Sequence, residues 1–198
     1  MGIDLLYEIG PAIAEHLPGW KYVFDEDFRA GYFIQGAKRK RGELAICLHV
    51  DHKKRLNISG AWPYAEGQPL TSPRDIYIDG KYQESPSISV SMGRPPEKLA
   101  ADILRRFIPE YLRLYNLCLE RLQANELAEK QQFTVAQDFA KIMGDKTTNA
   151  HASWYGEDCY GHVDVNSGGD TATLELRGNV AILKAALVAA GKAGAFKK

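Results

Sequence analysis

The chain has 198 residues, 25 basic and 25 acidic, with 45% hydrophobic and 25% charged side chains. That composition suits one folded domain or two small ones, and it excludes a largely disordered chain, a histone-like coat for nucleic acid and an acidic mimic of DNA. No apolar run reaches the roughly 18 residues that a bilayer-spanning helix needs, so no membrane partner is expected.

Ile3 to Leu17 reads as a short helix or two helical pieces, broken or kinked at Gly10-Pro11 and stopped by Pro18-Gly19. A meander of strands is expected next: Trp20 to Phe24, Gly31 to Ala37, residues 43 to 50 and Arg55 to Trp62. In the third strand Leu44, Ile46, Leu48 and Val50 alternate with Ala45, Cys47 and His49. Pro63 to Pro86 reads as a long loop holding a short strand, Ile76-Tyr77-Ile78, ahead of Asp79-Gly80. Ser87 to Met92 is a fifth strand.

Pro95-Pro96 opens the longest helix, because a proline at the first turn removes an N–H that would have had no partner there. Leu99, Ile103, Phe107, Tyr111, Tyr115, Cys118 and Leu122 form its apolar stripe, and Pro109 should kink it. Arg105 and Arg106 cannot both face one stripe, so at least one should be exposed. From Gln123 to Gln132 the chain turns polar, which sets a module boundary near residue 132. Thr134 can cap a helix ending at Met143-Gly144. Strands follow at Ala150 to Tyr155, Cys159 to Val165 and Thr171 to Leu176, then a helix from Val180 to Ala190 capped by Asn179. The expected class is α+β. Residues 1–132 form an antiparallel meander sheet covered by the N-terminal and long kinked helices, and residues 133–198 form a smaller α-β-β-β-α module.

The charge is unevenly placed. Lys38-Arg39-Lys40-Arg41 and Lys53-Lys54-Arg55 flank the third strand, where Glu43 and Asp51 are the acidic residues. Seven cations gathered in a neutral chain point to an anionic partner: a host protein or nucleoprotein, or DNA or RNA directly. A strand of eight residues spans about 25 Å, so the two turns should lie at opposite ends of it and could straddle a groove. Tyr32, Phe33, Trp62 and Tyr64 could stack bases, although most of them suit a core better. The competing reading is a pair of solvated hairpin turns whose charges guard exposed edges.

Metal and catalytic readings are weaker. His49 and Asp51 share a strand face, with His52 beside them, but two ligands fall short of a structural zinc site; a third would have to come from His16, His151 or His162. Cys159 and His162 lack a second pair at matching spacing. Asp164, Asn166, Gly169 and Glu175 match four positions of a calcium-binding loop, but Gly168 offers no side-chain oxygen and the flanks alternate as strands do, so a hairpin explains them better. There is no Gly-x-Ser-x-Gly elbow and no P-loop; Cys47 and Cys159 have histidines near them in sequence, which is not proximity in space. No cofactor is expected, and a non-enzymatic role is favoured over a small enzyme with an unrecognised site. The helix–three-strand–helix order of residues 134–191 is that of a double-stranded-RNA-binding domain. Asn179, Val180 and Ala181 stand where that family places phosphate-contacting lysines. Cys47, Cys118 and Cys159 are an odd, widely spaced set, read as reduced thiols of a cytoplasmic protein, and Met1-Gly2-Ile3-Asp4 lacks the basic start of a signal peptide.

Leu56-Asn57-Ile58-Ser59-Gly60-Ala61-Trp62-Pro63, then Pro86-Ser87-Ile88-Ser89-Val90-Ser91, then the stretch from Pro95 to Tyr111 resemble small uncharacterised proteins carried by bacteriophages and integrative elements, over about residues 20–123. The resemblance implies an accessory protein of a mobile element. Such proteins bind host macromolecules, and some inhibit host defence nucleases as anti-CRISPR proteins do.

Overall fold

The computed structural model of the chain describes residues 2–36, 43–53, 55–66, 71–143, 151–155, 157 and 159–192. The protein is α+β and divides into two units, Met1–Gln123 and Ala124–Lys198. The first unit is built on a five-stranded antiparallel sheet of order β1-β2-β3-β4-β7. Its strands are β1 (Lys21–Asp25), β2 (Ala30–Ile34), β3 (Ala45–Val50), β4 (Arg55–Gly60) and β7 (Ser87–Ser91). Between β4 and β7 the chain forms a small ribbon, β5 (Tyr77–Ile78) with β6 (Lys81–Tyr82), closed by Asp79 and Gly80 at φ 51° and 80°. Positive φ at both central residues is the tight-hairpin geometry that an Asp-Gly pair favours.

One face of the large sheet carries the core. Phe33, Ile46, Leu48, Leu56, Ile58 and Val90 project from it and are buried. Against them pack Leu6 and Ile13 of α1 (Gly2–Ala14), and Leu99, Ile103, Phe107, Tyr111 and Tyr115 from α2 (Pro96–Asp102), the turn after it and α3 (Ile108–Met143). The expected apolar stripe is thus the buried one, Cys118 and Leu122 included. Gly60 is where Tyr111 arrives: a Cβ there would lie 2.1 Å from the ring.

Two expectations about helices need correction. Gly10-Pro11 does not break α1. The proline removes the bond to the Tyr7 carbonyl, but Gly10 lets the Tyr22 ring pack directly on the helix backbone, and Glu15 N still donates to Pro11 O at 3.2 Å. The long helix is irregular just before Pro109: Ile103–Phe107 form a π turn, and Ile108 N donates to Ile103 O. No helix begins at Thr134, because α3 is continuous through Met143 and Thr134 Oγ1 donates back to the Lys130 carbonyl at 2.9 Å. The polar run from Gln123 to Gln132 is rich in Glu, Gln, Ala and Lys, which extend helices.

In the second unit β8 (His151–Tyr155), β9 (Cys159–Val165) and β10 (Ala172–Gly178) form an antiparallel sheet of order β10-β9-β8, followed by α4 (Val180–Lys192). Val163 and Val165 are buried with Ala136 of α3, and Val135 and Phe139 pack beside them. Asn179 caps α4, its Oδ1 accepting from Ala181 N at 2.9 Å. Among the described residues no helix is long and apolar enough to cross a membrane.

Candidate functional site

The β3–β4 turn is fixed by one carboxylate. Asp51 Oδ1 accepts from Lys53 N at 2.8 Å and Arg55 N at 2.9 Å, and Asp51 N donates to Arg55 O at 3.0 Å. These N–H groups, Arg55's foremost, hold the Asp51 carboxyl below the usual carboxylate range. Asp51 therefore serves the turn, and among the described residues it forms no group of three with His49 and His52 that could hold a metal ion. Lys53 is exposed on this turn. Arg55 lies along the sheet, its Nε donating to Ser89 Oγ at 2.8 Å and its Nη2 to Ser89 O at 2.9 Å. Lys38, Arg39, Lys40, Arg41 and Lys54 lie outside the described residues. Lys53 and Arg55 belong to the Val50–Leu56 end of β3 and β4, opposite the Ile34–Ala45 end of β2 and β3. Of the aromatic residues near the basic clusters, Tyr32 and Phe33 are buried, and Trp62 packs edge-on against Tyr111 with ring centres 5.4 Å apart.

A second group of cations stands at the same end of the sheet as Lys53 and Arg55. Arg55 pairs with Ser91, the last residue of β7, and Arg94 follows three residues later. Arg94 Nη1 bonds Asp102 Oδ2, and Arg105 Nη2 lies 3.4 Å from Asp102 Oδ1. Asp102 is 6% exposed. The hydrogen bond from Arg94 dominates in holding its carboxyl below the ordinary range, with the charges of Arg94, Arg106 and Arg105 adding to it. Arg105 and Arg106 are both exposed, one more than the apolar stripe required. Arg94 and Asp102 stood out from no motif. The visible trace was Asp102 and Arg105 at i,i+3, a spacing that places side chains together on a helix.

In the second unit the β8-β9-β10 sheet has a polar face. His151 Nδ1 lies 2.7 Å from Asp164 Oδ1, His162 Nε2 lies 3.4 Å from Asp164 Oδ2 and 3.5 Å from Glu175 Oε2, and Arg177 Nη2 lies 2.5 Å from Glu175 Oε1. Cross-strand pairing produces this row, since His151 faces Asp164 and His162 faces Glu175. Each carboxylate is thus already engaged by a histidine or an arginine. Among the described residues no group of three or more His, Cys, Asp or Glu is arranged to hold a metal ion. Residues 164–175 are two strand ends and a hairpin turn. Asn166 N donates to Thr171 O at 2.9 Å, and Gly168 and Gly169 take φ of 100° and 74°. Cys159 and His162 alternate to opposite faces of β9.

Comparison of the chain with protein-family models, with curated proteins and with solved structures finds no match.

Proposed function

We propose that this chain is a non-enzymatic binding protein that occupies a negatively charged surface of a host nucleoprotein or nuclease. Its resemblance to accessory proteins of phages and integrative elements suggests inhibition as the purpose of that occupancy. The observation that carries the reading is the gathering of cations in the sequence on either side of β3 in a chain of zero net charge. The Asp51-braced turn supports it, because Lys53 stands on a backbone that is already ordered and binding through it costs little further backbone entropy.

The test is capture of a host complex from nuclease-treated lysate by wild-type protein and by two charge-reversed variants. One carries Glu at Lys38, Arg39, Lys40 and Arg41, and the other carries Lys53→Glu with Lys54→Glu. Capture of one identified nucleoprotein or nuclease, lost in either variant while the circular dichroism melt is unchanged, is the expected result. Capture indifferent to the reversals sinks the proposal, as does binding that needs free nucleic acid.

A further inference from the structure

Asp102 is a buried carboxylate, and such a group needs a cation. One guanidinium would serve, gripping both oxygens as a fork. Instead Oδ2 goes to Arg94 and Oδ1 to Arg105, and Arg106 adds its charge to the same carboxylate. Among the described residues neither paired arginine grips a carboxylate with its fork. The group carries three positive charges against one negative, in a chain whose net charge is zero. Arg105 and Arg106 sit within the π turn Ile103–Phe107, while Ile103 and Phe107 on either side of them are fully buried, so the backbone that presents them is anchored in the core. Turns of this kind concentrate at functional positions in helices.

We infer that Arg94 and Arg105, positioned by Asp102, and Arg106 beside Arg105 on the same π turn form a phosphate-binding site that takes neighbouring phosphates of a nucleic-acid strand. The inference rests on the proposed function and names the group in the nucleoprotein that the basic end of the sheet recognises. Donor count favours phosphate over carboxylate. Three guanidiniums carry about 15 N–H groups, of which Asp102 takes two, and a carboxylate with about four lone-pair sites is satisfied by one fork. Each phosphate of a nucleic-acid strand is a monoanion with two unbridged oxygens, and the strand presents them in a row, so the remaining donors and the surplus of two positive charges meet neighbouring phosphates.

The test is fluorescence anisotropy of the full chain with a labelled single strand of about 20 nucleotides and with its duplex, from about 50 to 200 mM salt. Paired Arg105→Ala and Arg106→Ala should weaken binding by roughly tenfold or more. The double change should also flatten the plot of log affinity against log salt by about 1.4–1.8, the share of two phosphate contacts. Inorganic phosphate should compete better than chloride at equal ionic strength. Asp102→Asn separates positioning from simple attraction. It removes a negative charge, so an unstructured cationic patch would bind more tightly, whereas a site held in shape by Asp102 binds more weakly. Melting curves check that each variant folds.

Wild-type affinity and salt slope in the double arginine variant would overturn the inference, as would tighter binding by Asp102→Asn. Should those results coincide with nucleoprotein capture that depends on Lys38 to Arg41, the inference alone fails and the proposed function stands. Arginine-dependent binding of the oligonucleotide without capture of any nucleoprotein sustains the site and removes the host target.

Discussion

Tyr22 lays its ring between α1 and β2. A Cβ on Gly10 would lie 2.2 Å from it, and one on Gly31 2.7 Å. The Tyr22 hydroxyl is buried and has no hydrogen-bond partner among the described residues, and burial pushes its pKa up to about 12. Tyr111 is buried on the same side of the sheet, but its hydroxyl lies 2.8 Å from the carbonyls of Ala45 and Ala61 and accepts from Ala45 N at 3.2 Å. The same substitution should therefore act with opposite sign at the two positions. Tyr22→Phe removes an orphaned polar group and should stabilise the protein by roughly 0.5–1 kcal/mol. Tyr111→Phe strands backbone groups of Ala45 and Ala61 and should cost about 1–3 kcal/mol. Urea unfolding monitored by circular dichroism measures both, and a loss at Tyr22 would mean that its hydroxyl has a partner after all. Gly60→Ala belongs to the same site. Its Cβ would meet the Tyr111 ring at 2.1 Å, and overpacking of this kind costs about 1–3 kcal/mol. Gly60 falls in phase with Leu56, Ile58 and Trp62, where the strand pattern calls for an apolar side chain. Which ring fills the space depends on a helix that begins 36 residues later, at Pro96, and local pattern does not reach that far.

The long helix shows the same limit at the scale of an element. Leu99, Ile103, Phe107, Tyr111 and Tyr115 recur at intervals of four, and all are buried. On a regular helix of 3.6 residues per turn those four steps would carry the stripe about 160° around the axis. The π turn at Ile103–Phe107 takes rotation back and keeps the five side chains on the sheet. Pro109 cooperates, because it has no N–H to give the Arg105 carbonyl. The proline was plain in the sequence, and so was the stripe. Their joint solution was not, since a widened turn has no residue signature of its own. If the stripe sets the turn, Pro109→Ala should change stability by less than about 1 kcal/mol. A proline relieved from a regular helix interior would return about 3 kcal/mol, and a gain of that size would make the proline itself the cause. At the start of the same element Asp102 gives a pH test. Its folded pKa is depressed, chiefly by Arg94, so the unfolded chain binds the proton more readily. The stability it contributes is complete above the ordinary carboxylate value near pH 4 and is lost as pH falls through the folded value. The urea midpoint of Asp102→Asn should lie below that of wild type at pH 6, with the gap closing toward pH 2. A gap independent of pH would remove the ion pair as its source.

At the scale of the molecule the two units differ in how much they bury. The first encloses a continuous core that draws on α1, all five strands of its sheet, α2 and α3 as far as Leu119. Among its described residues the second buries the apolar side chains of Ala136, Val163 and Val165, while Leu174, Val180, Leu187 and Val188 are each more than half exposed. Alternation in β9 and the Asn179 cap made the second unit's elements readable. Its poor burial was hidden, because an apolar residue in a sequence does not say whether anything covers it. The basic clusters were equally plain as composition, whereas Arg94 reaches Asp102 through the Pro95-Pro96 entry to α2, a tertiary event without a local sign. Unequal burial has a kinetic consequence, since local stability follows buried apolar contact. Amide hydrogen exchange should protect β2, β3, β4 and α3 up to Leu122 most strongly and together, as one cooperative unit. Amides of β8, β9, β10 and α4 should exchange faster by at least about tenfold. A chain ended after Gln123 should keep the slow set unchanged and unfold in urea in a single transition, because every residue of the large core lies before that point. Loss of protection in β3 and β4 on that truncation would show that the second unit holds the first together, and the division at Gln123 would then not be an energetic one.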